Sequence, residues 1–216
     1  MVGVTTRSFS LEGKQREGEN IIEPNIYCVG DCLTAGVGNG GVVAMAYPDQ
    51  VYEKLKRKYN VYNYGRTMAT ADMIAKFSHK FALEWVRAGD IVFYWCGTND
   101  LYRNELPETV FVIFDQYCQL VIQKKAIIVP LTLIPRVAPT VPVNFERSRQ
   151  RFNYLLRSKY EFVVDVGRNK RIGYLGAQEN KEYYCYPDTT HLSPKGYEIV
   201  ASLVARKVRT ILKGQN

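Results

Sequence analysis

From about residue 25 onward, short runs rich in β-branched and aromatic residues alternate with amphipathic stretches, and this alternation limits the possible folds more than any other feature of the sequence. Strands are expected over 25–29, 61–64, 90–95, 126–133 and 162–166. Several of these are apolar at consecutive positions, as parallel strands covered on both faces are. Helical patterns lie between them, over 49–58, 70–87, 108–124 and 145–159, each long enough to bring the chain back for another parallel strand. A last helix opens at Ser193-Pro194, where the serine can cap free amides and the proline suits the first turn; Ile199, Val200, Leu203 and Val204 then recur with helical period.

No repeat or linker interrupts the pattern, and 216 residues with 46% hydrophobic content suit one domain, expected over 24–216. Residues 1–23 are polar and charged, without the apolar stretch of a secretory signal, and read as an arm. Asp115, Gln119, Gln123 and Lys124 break up the most hydrophobic region, so no membrane span is expected. The five cysteines form no CxxC pair, which argues against a disulfide framework or a zinc ribbon and for a reducing compartment, cytoplasmic by default. The net charge of +8 is dispersed over segments that read as solvated helix faces, and no nucleic-acid partner is expected.

Open parallel sheets bind ligands at the carboxyl ends of their strands. Four segments with chemical potential are expected at or beside that end of the sheet. After the first strand comes Gly30-Asp31-Cys32-Leu33, where the thiol would sit near a helix N-terminus whose free amides favour a thiolate and lower its pKa. Cys28, in mid-strand, reads as a small buried hydrophobe. After the second strand comes Asn63-Tyr64-Gly65, whose glycine N–H no side chain would block. After the third comes Gly97-Thr98-Asn99-Asp100, a carboxamide beside a turn. Before the last helix, Asp188 precedes His191 by three residues, close enough to orient its imidazole. His79, inside a helical pattern with no acidic neighbour close in sequence, reads as structural or surface.

Taken together and in this order, the four segments resemble the conserved blocks of the SGNH hydrolases, also called GDSL lipases and esterases. The resemblance covers about residues 25–212, with Cys32 standing where the family's nucleophilic serine stands. It implies a three-layer α/β/α, flavodoxin-like sandwich with a five-stranded parallel sheet in the order 2-1-3-4-5. It also implies Cys32 as nucleophile, His191 as base and Asp188 as its orienting acid, supported by Gly30, Asp31 and Gly97. The oxyanion hole would be formed by the N–H groups of Cys32 and Gly65 and the side-chain amide of Asn99. The implied activity is hydrolysis of small carboxylic esters, with O-acetyl groups on carbohydrate first and lysophospholipid or thioester hydrolysis as alternatives. No metal or organic cofactor is implied.

Other readings stay open at this level. Cys32 is compatible with a natural thiol enzyme, with a replaced serine, or with a protein that binds acylated glycans without turnover. The letters of a dinucleotide fingerprint occur at Gly36, Gly38 and Gly41, but Gly36 lies well past the strand and Tyr64 stands where an acidic residue is needed. Tyr183, Tyr184 and Tyr186 lie close enough to Asp188 to line a cleft, although packing explains them equally well.

Overall fold

Successive residues of a strand point to opposite faces of the sheet, and the third strand uses this to hold two helical layers. In a computed structural model, which describes residues 23–38, 46–137 and 140–214, the elements run in chain order as follows. They are β1 (Ile26–Gly30), α1 (Cys32–Ala35), α2 (Tyr47–Lys54), β2 (Val61–Gly65), α3 (Ala71–Lys76), β3 (Ile91–Trp95) and α4 (Thr98–Tyr102). After these come α5 (Pro107–Gln123), β4 (Ile127–Pro130), α6 (Phe145–Lys159) and α7 (Pro194–Lys213). Tyr94 of β3 stacks on Phe114 of α5 at 4.0 Å between ring centroids, while its neighbour Trp95 meets Tyr47 of α2 edge-on at 5.8 Å. The α2 helix in turn packs on α7, and α5 packs on α3 and α6, which gives the sandwich its outer layers.

The sheet is parallel, in the order β2-β1-β3-β4. Its central strands, β1 and β3, are buried at every residue, which accounts for their unbroken apolar sequences. The α7 helix begins as its sequence implies: Ser193 Oγ accepts from Gly196 N, and Pro194 stands in the first turn. Val200 and Val204 are fully buried there, whereas Ile199 and Leu203 sit at the margin of the core. Among the described residues, no helix is long and apolar enough to cross a membrane.

Four strands form where five were expected. The fifth is reduced to a single parallel bridge between Leu131 and Val164. Beyond Val164 the ladder gives way to side chains: Thr132 Oγ1 donates to Asp165 and accepts from Gly167 N, while Arg157 pairs with Asp165 at 3.0 Å. The helix expected over 70–87 stops at Lys76. A 3₁₀ turn follows it, and Ala82 has a left-handed φ of 69°. Buried tyrosines take up backbone carbonyls in this stretch, with Tyr117 Oη donating to Phe81 O and Tyr27 Oη to Trp85 O. The α2 helix ends at Lys54, ahead of Lys56 and Arg57, which have φ of 55° and 57°. The arm expected over 1–23 lies outside the described residues apart from Glu23, which pairs with Lys58, and Gly41 also lies outside them.

Two glycines let the carboxyl end of the sheet close up. A Cβ at Gly30 would lie 2.1 Å from Trp95 O, and one at Gly65 would lie 2.1 Å from Ala35 N, both rigid backbone atoms. Gly65→Ala is therefore expected to destabilise the protein by about 2–3 kcal/mol through overpacking. Gly89, at φ 84° with open space around its Cβ position, serves as the comparison; Gly89→Ala should cost only about 1 kcal/mol, from backbone strain. Urea denaturation of both variants tests this, and a Gly65→Ala cost no greater than that of Gly89→Ala would show that the backbone contact is not limiting.

Candidate active site

The first motif is built as a helix start. Asp31 is the N-cap of α1; its Oδ1 accepts from Leu33 N at 2.9 Å, and Cys32 is the first helical residue. Both side chains are buried, Asp31 at 1% exposure and Cys32 at 5%. Burial pushes the Asp31 carboxyl up to about 7, with Asp100 adding to the rise and the Leu33 N–H and Arg136 opposing it. Burial, followed by the neighbouring Asp31, also pushes the Cys32 thiol far above its ordinary value; Arg136 and the helix-start amides pull the other way and do not prevail. The lowered thiol pKa expected from the helix N-terminus is therefore reversed, because a charge removed from water loses more than one short helix end returns.

The last motif forms a tight loop closed by an antiparallel bridge between Tyr184 and Leu192, with Cys185 N donating to His191 O. Asp188 Oδ1 accepts from Thr190 N, and Oδ2 hydrogen-bonds to His191 Nδ1. Burial raises the Asp188 pKa, but the bonds from His191 and Thr190 outweigh it and leave the carboxyl below its usual value. His191 Nε2 is buried and has no hydrogen-bond partner among the described residues. A hydrogen bond from the Cys32 thiol to this nitrogen is thus not made in this structure. Six residues after His191, Tyr197 Oη donates to Val37 O, two residues beyond the end of α1. Burial raises the pKa of that phenol, and Cys32, Asp31 and Cys185 raise it further, so α1 and the histidine loop meet around one buried ring.

The two middle motifs carry more structural duty than their sequences suggest. Gly65 N, expected to be open, donates to Asn63 Oδ1 at 2.9 Å. Asn99 is buried, and one of its amide hydrogens goes to Ala69 O at 2.9 Å; the other has no partner among the described residues. Gly97 holds φ 117° at the start of α4 against the Phe152 ring. Asp100 caps α3 by accepting from Ala71 N, and its own burial raises its pKa to about 6.

Of the three tyrosines near Asp188, Tyr184 belongs to the core and donates to Ile172 O, while Tyr186 is exposed. Arg136, on the segment after β4, lies close enough to Asp31 and Cys32 to oppose their raised pKa values; no motif marks it in the sequence. A separate cleft of about 430 Å³ lies beside α6, lined by Glu146, Arg149, Asn153, Arg157, Arg168 and Tyr174. Arg149 and Arg157 there pair with Glu146 and Asp165, and none of the motif residues lines it. Among the described residues, no three His, Cys, Asp or Glu side chains cluster as metal ligands would.

The family model described as "GDSL-like Lipase/Acylhydrolase family" matches residues 28–199. The chain is similar in structure to a lipase/acylhydrolase from Enterococcus faecalis, with a TM-score of 0.68 and 20% identity, over 87% of this chain and 96% of that one. It is also similar to the psychrotrophic esterase EstA from Pseudoalteromonas sp., a structure inhibited by monoethylphosphonate, with a TM-score of 0.68, 12% identity and coverage of 88% and 100%. A member of the lipolytic protein G-D-S-L family from Veillonella parvula gives a TM-score of 0.68, 16% identity and coverage of 88% and 99%. At these identities the likeness is one of fold. No curated protein matches the sequence.

Two outcomes follow from the geometry. With its pKa raised to about 7 from an ordinary 3.8, Asp31 favours folding when protonated, so its contribution is lost as pH rises from about 4 through about 7, by on the order of 2–4 kcal/mol. Asp31→Asn keeps an acceptor for Leu33 N, and denaturation at about pH 5 and about pH 8 should show much of that dependence removed; equal pH dependence in both proteins would contradict a buried weak acid. The buried neutral thiol should also react slowly: iodoacetamide at neutral pH is expected to label Cys32 at least about tenfold more slowly than free cysteine, as peptide mass mapping would show.

Proposed function

This chain belongs to the GDSL-like lipase/acylhydrolase family, a family of ester hydrolases, and on that premise we propose that it cleaves small carboxylic esters with Cys32 as nucleophile, His191 as base and Asp188 as the acid that orients it. The observation that carries the reading is the His191 imidazole, held at Nδ1 by an ionised carboxylate and left with a buried, unsatisfied Nε2. Such a nitrogen is a base without a proton to accept until a nucleophile approaches. Apo sites often hold these bonds open and close them on the substrate complex.

In the proposed cycle, His191 Nε2 removes the Cys32 proton as Sγ adds to the ester carbonyl carbon. The C–O bond to the leaving alcohol then breaks, with the proton passing from His191 to that oxygen. Water attacks the resulting thioester, His191 takes its proton, and the carboxylic acid leaves as the proton returns to Sγ. Because burial keeps the resting thiol protonated, deprotonation accompanies attack and no thiolate–imidazolium pair stands ready beforehand. The negative oxygen would be held by the Cys32 N–H, by the uncommitted amide hydrogen of Asn99, and by Gly65 N once Asn63 yields it. Gly30, Asp31 and Gly97 serve here as backbone support.

For substrate we place O-acetyl groups on carbohydrate first. The exposed Tyr186 ring, with Lys181 over one face, offers an aromatic surface beside a cation that a sugar could use. The protonated thiol favours one alternative, an acyl-binding module that turns over slowly or not at all.

Hydrolysis of p-nitrophenyl acetate by the chain and its variants tests the reading. His191→Ala should lower kcat/KM about 10²–10⁴-fold, and Asn99→Ala about 10²–10³-fold. Cys32→Ala should abolish turnover and the acyl adduct seen by mass spectrometry. Equal rates for Cys32, Cys32→Ser and Cys32→Ala would remove Cys32 from the mechanism. A Cys32 form that accumulates adduct while Cys32→Ser turns over would favour a replaced serine, with the thiol trapping the acyl group.

A further inference from the structure

One cation beside the motif residues stands outside the ion pairs of the described residues. The Arg136 guanidinium carbon lies over the Tyr102 ring, 4.0 Å from its centroid. Its Nε is buried without a hydrogen-bond partner, and it enters no ion pair among the described residues. The contrast with the α6 cleft is instructive, because Arg149 and Arg157 there are satisfied by carboxylates of the protein itself.

Position makes the orphan donor relevant. Tyr102 is the last residue of α4, the helix that carries Asn99, and Arg136 follows β4, so both come from the carboxyl end of the sheet. Tyr102 Oη donates to Thr140 Oγ1 at 2.7 Å, which fixes the ring that supports the guanidinium. The half-buried guanidinium carries a planar fork of N–H donors, and its buried Nε has no partner among the described residues. Asp31, whose carboxyl Arg136 influences, is itself buried and spends Oδ1 on capping α1. A buried Nε–H without an acceptor is costly to the fold, and a carboxylate or phosphate matches the fork with two hydrogen bonds.

We propose that Arg136, braced on Tyr102, is a specificity residue that seats an anionic oxygen group of the substrate, so that the preferred esters carry a carboxylate or phosphate near the scissile carbonyl. The inference rests on the proposed ester hydrolysis and narrows its substrate class. The charge could belong to the acyl part or to the alcohol part, and the two are separable.

The acyl side is tested by p-nitrophenyl hemisuccinate against neutral p-nitrophenyl acetate, and the alcohol side by p-acetoxybenzoate against its neutral methyl ester. The expected result is a charged-to-neutral kcat/KM ratio of about tenfold or more in one of the pairs. Arg136→Gln should bring that ratio close to unity, and Arg136→Lys, which keeps the charge and loses the fork, should recover it only in part. Ratios that are the same in wild type and Arg136→Gln would overturn the proposal. If the wild-type chain hydrolyses none of the four esters, the ester-hydrolase reading fails and binding decides the role of Arg136. Titration calorimetry with succinate and with inorganic phosphate should then show binding to the wild-type chain that Arg136→Gln lacks, and no difference between the two would count against an anion seat.

Discussion

The architecture of the site depends on an absence of space. At the carboxyl end of the sheet, the backbone of α1 lies on Gly65 so closely that a Cβ there would come within 2.1 Å of Ala35 N, and Gly30 lies as close to Trp95 O. Backbone atoms cannot rotate out of the way as side chains can, so this contact fixes α1 relative to β1, β2 and β3 together. Cys32 is the first residue of that helix, and its position is set by three strands and not by a loop. For the proposed nucleophile, such a mounting keeps its direction without substrate, which is what an oxyanion pocket built partly from its own N–H would require.

A second lock joins the other side of the pocket. Ala69 O receives Asn99 Nδ2 and, more weakly, the Cys96 thiol, while two residues on Ala71 N donates to Asp100. Three residues of the segment 96–100, Cys96, Asn99 and Asp100, thereby hold the entry to α3 from the end of β3. Asp100, which looks in sequence like part of a reactive motif, serves to join two helices. Its raised pKa follows from being buried for that purpose.

Much of this was legible in the sequence, for identifiable reasons. The central strands are covered on both sides and so are apolar without interruption, and α7 announces its start with a serine cap and a proline. Periodicity and capping are local properties, and local properties survive in a linear reading. The fifth strand did not survive: the residues after Val164 look extended, but Asp165 and Gly167 bond instead to the side chain of Thr132, more than thirty residues back, and Asp165 also to Arg157. The break after Lys76 is likewise invisible, because the tyrosines that take up the backbone carbonyls there lie on β1 and α5. Within the candidate site, motif spacing singled out residues but could not report their solvent exposure, and exposure decides the sign of the Cys32 shift. Arg136 belongs to no motif. The only cue to it was a basic residue shortly after the fourth strand run, a cue shared by many surface arginines.

The charge state of the pocket gives these observations a common meaning. At rest the thiol is neutral, Asp31 titrates near neutrality, and the ionised carboxylate sits behind the imidazole, where Thr190 N and His191 share its charge. Burial that disfavours a thiolate also disfavours its random oxidation or alkylation, so the cost to reactivity brings protection with it. In the proposed cycle, reactivity then has to arrive with the substrate. An ester carbonyl would offer the sulfur a bond instead of a free charge, and the developing negative oxygen would fall among amides that burial makes stronger donors. Arg136 works in the same direction, since a fixed positive charge opposes the raised pKa of both Asp31 and Cys32 while entering no ion pair among the described residues. On the proposed mechanism, a substrate anion seated on it would cancel part of that help, and the pocket would then rely on His191 for the proton and on the amides of Cys32 and Asn99 for the charge. The proposed selectivity for charged esters and the proposed activation of the sulfur would thus draw on one guanidinium, and its distance from each would set the balance between them.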